Sequence, residues 1–132
     1  MEASIKIKIP FYDLDPMRVV WHGNYIKYFE DARCALLEKI GLGYEKMAEM
    51  RLLFPIVKMR IKYIKPAVFA QEIKVSAQLL PSENYLHIKY AACDFSSGEK
   101  ICAAETKQMC VDMRTQISSL VLPEEILKIV NA

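Results

Sequence analysis

The stretch from Tyr12 to Arg33, YDLDPMRVVWHGNYIKYFEDAR, decides how the chain is read. Its first half is crowded with polar groups: Asp13, Asp15, Arg18, His22 and Asn24. From Asn24 onward the apolar residues take helical spacing. Tyr25, Phe29, Ala32, Leu36 and Ile40 share one face, with Tyr28 and Leu37 widening it and Lys27, Asp31 and Glu38 off it. Asn24 is placed to cap this helix and Gly41 to stop it. The spacing predicts a helix over 24–40, about 25 Å long. A carboxylate, an imidazole and a fresh helix N-terminus therefore lie close together in the chain.

Outward from that stretch the period is two. Ile5, Ile7 and Ile9 alternate with Lys6 and Lys8, and Pro10 ends the strand. A shorter helical turn is expected over 44–50. Beyond Leu53, Val57, Met59, Ile61 and Tyr63 share a face opposite Lys58, Arg60 and Lys62, and Pro66 breaks the run. Ile73, Val75, Ala77 and Leu79 alternate in the next strand. Strands over 85–95 and 101–113 follow, separated by Ser96–Ser97–Gly98. Pro123, at the first helical position, and the acids Glu124 and Glu125 open a short terminal helix. Consecutive strands with short turns predict an antiparallel meander. One long helix against one five-stranded antiparallel sheet is an α+β layout. The helix covers only one face of that sheet, and free edge strands invite aggregation. Two subunits that join sheets edge to edge relieve both problems, which predicts a homodimer or homotetramer.

The 132 residues suit a single domain, 1–132, large enough to fold without a disulfide or metal staple. A net charge of +2 gives no support for nucleic-acid binding. The basic run Lys58, Arg60, Lys62 and Lys65 is either the solvated face of a strand or a landing strip for phosphates of coenzyme A or a carrier protein. Cys34, Cys93, Cys102 and Cys110 form no C-x-x-C and have no histidine at zinc spacing, so no metal is expected. They read as small buried apolar residues of a reducing compartment. The N-terminus lacks a signal-peptide core and no run is long enough to span a membrane, so a cytoplasmic protein is expected.

The segment D-L-D-P-M-R-V-V-W-H-G-N-Y, Asp13 to Tyr25, resembles the signature of hotdog-fold acyl-CoA thioesterases of the 4-hydroxybenzoyl-CoA thioesterase and YbgC type. Glu30, Ala32 and Arg33 stand where that family has E-x-A-R. Ile61–Ala67, I-K-Y-I-K-P-A, resembles its Y-x-x-P-A segment. The resemblance implies a hotdog fold, with the helix wrapped by the sheet and sheets joined across a dimer. It also implies hydrolysis of an acyl thioester, with coenzyme A or phosphopantetheine present only as part of the substrate and no separate cofactor. The substrate partner would be acyl-CoA or acyl-carrier protein.

Such a reaction needs an attacking or water-activating group, an oxyanion site and a pocket that holds the acyl chain. The resemblance makes Asp15 the catalytic carboxylate, as nucleophile or general base, with His22 beside it. The amides of His22, Gly23 and Asn24, at a positively polarised helix end, are the candidate oxyanion donors. Val20 and Trp21 are candidate apolar walls, and Tyr25 either lines the pocket or belongs to the core. Asp13 reads as the structural member of the aspartate pair. Arg18 stands where the family usually has Gly, which permits φ > 0; as arginine it is free to pair with a substrate phosphate or with Asp13. Two other readings are a hotdog dehydratase on 3-hydroxyacyl thioesters, disfavoured by Gly–Asn–Tyr after His22, and a non-catalytic acyl-binding module.

Overall fold

The computed structural model describes all 132 residues. The chain runs β1 (Glu2–Lys8), α1 (Asn24–Lys39), α2 (Tyr44–Glu49), β2 (Leu52–Leu53), β3 (Ile56–Tyr63), β4 (Glu72–Leu80), β5 (Leu86–Asp94), β6 (Lys100–Gln108), β7 (Cys110–Asp112), β8 (Ser118–Ser119) and α3 (Glu124–Val130). A single 3-10 turn at Phe11–Asp13 leads into the loop before α1. The main sheet has five strands in the order β1-β4-β5-β6-β3, all antiparallel.

The expected meander holds for β4, β5 and β6. It fails at β3, which pairs with β6 rather than with its successor β4. The connection through Lys65–Pro66 carries the chain across the open end of the sheet, leaving β3 as one edge and β1 as the other. Edge position explains why the apolar face of β3 is poorly covered. Met59 and Ile61 are half-buried, while Val57 and Tyr63 are exposed.

The single strand expected over 101–113 is two strands. β6 stops at Gln108, and β7 turns away to join β2 and β8 in a small second sheet. The break falls at Met109, whose amide donates to Pro55 O at 3.1 Å, outside the main ladder. Alternation alone does not reveal such a change of partner.

Helix α1 lies against β1 and β4. Its face of Tyr25, Tyr28, Phe29, Ala32, Leu36 and Leu37 is buried in one continuous core with Ile73, Val75, Ile88 and Tyr90. Two details differ from expectation. Asn24 is the first helical residue and Gly23 the cap, because the Asn24 side chain is used elsewhere. Pro123 is likewise the cap of α3 rather than its first helical residue. Gly41 ends the first helix as expected, at φ +78°.

Arg33 is the surprise on the helix: it is 5% exposed. Its spacing from Phe29 and Leu37 puts it in the middle of the apolar face, so position outweighs residue type. It pairs with Glu30. Burial opposes its charge, but Tyr90, Tyr44 and Glu30 outweigh that and hold the guanidinium protonated.

All four cysteines are free. Cys102 and Cys110 are buried as expected, and burial pushes the Cys102 thiol up to about 12. Cys34 and Cys93 are only partly buried. No helix is long and apolar enough to cross a membrane.

Leu36 has no exposed surface. Leu36→Ala is expected to destabilise the fold by about 2–5 kcal/mol, through lost transfer energy and the cavity left behind. Denaturant titration measures it, and an unchanged slope against denaturant will show the same two-state unfolding.

Candidate active site

The loop from Asp13 to Gly23 is held by Asp13. That residue is 4% exposed, and its carboxylate accepts from Tyr28 Oη at 2.6 Å and from Lys27 Nζ at 3.0 Å. Both donors sit near the start of α1. The Asp13 carbonyl accepts from Asn24 Nδ2 at 2.8 Å and from the Trp21 amide at 3.0 Å. Burial and the carboxylate together raise the Tyr28 hydroxyl far above its ordinary pKa, so it remains a donor. Asp13 is structural, as expected, but its carboxylate binds a hydroxyl and an ammonium rather than loop amides. These partners leave Arg18 no part in an Asp13 ion pair.

Asp15 stands two residues further on. Its Oδ1 accepts from the Met17 amide at 2.8 Å and the Val19 amide at 3.5 Å, and its backbone bonds Val19 and Arg18 in a tight turn. Oδ2 has no partner within the chain. Arg18 occupies the turn at φ +63°, the left-handed region that glycine adopts freely. The backbone that the family's glycine would favour is thus kept despite the arginine.

The segment after β3 closes the other side. Val20 N donates to Ala67 O at 2.9 Å, and the Ala67 amide donates to Tyr25 Oη at 3.3 Å. Tyr63 Oη donates to His22 O at 3.0 Å. Tyr63 was not among the expected site residues, although it lies in the stretch Ile61–Ala67 that carried part of the resemblance.

Asp15, Val20, His22 and Tyr25 line one cavity of ≈ 330 Å³, together with Met17, Val19, Tyr63, Ile64, Lys65 and Pro66. Tyr25 serves two roles, being 3% exposed in the core while also lining this cavity. The imidazole of His22 lies between Trp21 and Tyr63, at centroid separations of 5.1 and 6.1 Å.

Two of the expected residues stand elsewhere. Trp21 does not line this cavity: its half-exposed indole covers Gly23, where any added Cβ would come within 2.3 Å of the ring. Arg18 lines a neighbouring cleft instead, with Phe11, Leu14, Asp15, Val68 and Phe69. Among the candidate oxyanion donors, the Asn24 amide is already given to Trp21 O at 2.9 Å. The His22 and Gly23 amides have no acceptor in the chain. The cavity thus has one free carboxylate oxygen, the His22 imidazole and Lys65 on its lining, and the free amides of His22 and Gly23 stand just before the helix N-terminus. That set matches the needs of acyl transfer to water.

The fold is that of a hotdog domain of thioesterase-like type. The chain belongs to the thioesterase-like superfamily, whose profile matches residues 9–130. It is 26% identical over 112 residues to the long-chain acyl-CoA thioesterase FadM of Escherichia coli, covering 84% of each chain. Among solved structures, a hypothetical protein of Thermus thermophilus, TT1821, superposes with a TM-score of 0.85 at 26% identity, over 98% of this chain and 97% of that one. The DHNA-CoA thioesterase of Staphylococcus aureus shares the fold, with a TM-score of 0.79 at 24% identity over 90% of this chain and 80% of its own.

Tyr28→Phe removes one donor from a buried carboxylate. The expected cost is about 1–3 kcal/mol of stability. Thermal denaturation measures it; a change within experimental error would mean that Asp13 is not the loop's anchor.

Proposed function

We propose that the chain hydrolyses acyl-CoA thioesters, with Asp15 acting on the thioester and the His22 and Gly23 amides holding its oxygen. The observation that carries this reading is the shared cavity. Asp15, whose Oδ2 is free, lines it with His22 at the start of α1. The family supports the reaction class, and relatives named as acyl-CoA thioesterases support the leaving group.

In this reading the acyl group lies against Met17, Val19, Val20 and Tyr63. The thioester carbonyl points at the two free amides and the positive end of the helix dipole. Asp15 Oδ2 then either attacks the carbonyl carbon or takes a proton from the attacking water; both routes give a free acid and a thiol. An oxyanion donor of this kind contributes about 2.7–4 kcal/mol to the transition state. His22 orients the water or the carbonyl, and the cavity needs no metal to do this chemistry.

Asp15→Asn is the direct test. Asparagine keeps Oδ1 for the Met17 amide, so the loop should stay folded. Turnover is expected to fall by at least two orders of magnitude on an acyl-CoA panel followed by thiol release, with an unchanged melting temperature. Near-normal hydrolysis would refute the assignment.

We also propose that two copies pair through β3. Its outer edge carries no partner strand, and Ile56, Val57 and Tyr63 along it are 43%, 49% and 47% exposed. Antiparallel pairing about a two-fold axis would set the start of one β3 beside the end of the other. The apolar cavity of ≈ 410 Å³ lined by Tyr44, Met47, Leu53 and Phe54 would then adjoin the other copy's Tyr63. Sedimentation equilibrium is expected to give twice the chain mass of 15.2 kDa, or a multiple of it. A stable monomer at micromolar concentration would remove this assembly.

A further inference from the structure

A second hollow shares Asp15 with the catalytic cavity. It is a cleft of ≈ 560 Å³, lined by Phe11, Leu14, Asp15, Arg18, Val68 and Phe69, and within the size range of small-ligand pockets. Asp15 is the one residue common to both linings. Four of the six lining residues are apolar. Phe11 and Phe69 meet edge to face at 5.8 Å between ring centres, yet they are 74% and 53% exposed. Burial in the core therefore does not account for these rings, and an exposed apolar cluster marks a place for a ligand. Arg18 is the only cation on the lining. Its guanidinium forms no ion pair within the chain. Asp13 is taken by Lys27 and Tyr28, and Asp15 Oδ1 by the Met17 and Val19 amides. Arg18 also holds φ +63°, where an arginine is less stable than a glycine. Folding therefore gains nothing from this side chain. A lone surface arginine is ordinary; one that shares a cleft with exposed aromatic rings and a reactive carboxylate is not.

We propose that this cleft binds a free monocarboxylic acid with an apolar chain, the class of product that thioester hydrolysis releases. The inference rests on the thioesterase reading for the identity of its ligand. The chemistry of the lining selects that ligand. A guanidinium meets one carboxylate with two parallel hydrogen bonds. The apolar walls suit a hydrocarbon chain, and a single cation is too few for the several charges of a nucleotide. The reaction supplies a reason for the position. Water adds across the acyl–sulfur bond to give a thiol and an acid, and the acid loses its proton at neutral pH. A neutral ester thus becomes an anion beside the Asp15 carboxylate, and like charges repel. Arg18, on the adjoining lining, offers the opposite charge. The acid leaves the catalytic cavity for the cleft, where its chain is covered by Phe11, Val68 and Phe69.

The test measures binding by titration calorimetry, with octanoate and octanol as probes. Arg18→Gly removes the guanidinium at a φ that glycine adopts freely, so the turn stays folded. Phe69→Ala removes one exposed wall of the cleft and none of the catalytic cavity. Wild type is expected to bind octanoate at least tenfold more tightly than octanol. Arg18→Gly should weaken octanoate tenfold or more and leave octanol within threefold. Phe69→Ala should weaken both probes by threefold or more. Each methylene added between hexanoate and decanoate should tighten binding to wild type by roughly two- to fourfold. Equal affinity of wild type and Arg18→Gly for octanoate, or no octanoate binding at all, would overturn the proposal. So would displacement of octanoate by an equal concentration of free coenzyme A, because the cleft would then belong to the coenzyme. Binding is read without hydrolysis, so failure of the Asp15 assignment and failure of this site appear in different measurements.

Discussion

The site depends on one buried carboxylate. Asp13 is withdrawn from solvent and bonded to Tyr28 and Lys27, both on α1. A buried carboxylate left without donors is costly, so these two partners must stay in place whenever the loop is folded. The Asp13 carbonyl adds Asn24 and Trp21 to the same anchor. The loop therefore cannot shift along the helix without breaking several bonds at once. Asp15, only two residues later, inherits a fixed position relative to the helix N-terminus.

The sheet supplies the opposing wall. Ala67 is fully buried and exchanges bonds with Val20 and Tyr25, and Tyr63 reaches back to His22. The cavity is thus made between the first helix and the crossing that follows β3. That crossing exists because β3 does not pair with β4. The irregularity in strand order and the placement of the site have the same origin.

Arg18 keeps a backbone conformation that costs an L residue about 1–2 kcal/mol relative to the right-handed regions. Asp15 accepting from Met17 and Val19 over-determines the turn and holds it there. Arg18 thus stands in a backbone conformation that a glycine would also adopt, while its side chain lines the neighbouring cleft. Gly23 has the opposite character. Its φ of −68° is ordinary, and a side chain there would have to displace the Trp21 indole that lies across it.

The sequence by itself determined the elements and their buried faces. Periods of 3.6 and 2.0 place side chains on one side of a helix or strand whatever lies beyond, so α1, β1, β4 and β5 were legible, and Gly41 as the helix stop with them. The resemblance carried by the loop motif drew notice to Asp15 and His22, and the structure brings both to one cavity. Tertiary structure alone decided which strands pair, and hence that β3 is an edge and that the strand expected over 101–113 splits at Met109. It also decided that Arg33 is buried, that Asn24 gives its side chain to Asp13 and its amide to Trp21, and that Tyr63 lines the cavity of Asp15 and His22. Each of these depends on what arrives from a distant part of the chain. Periodicity says which way a side chain points, and only packing says what it meets.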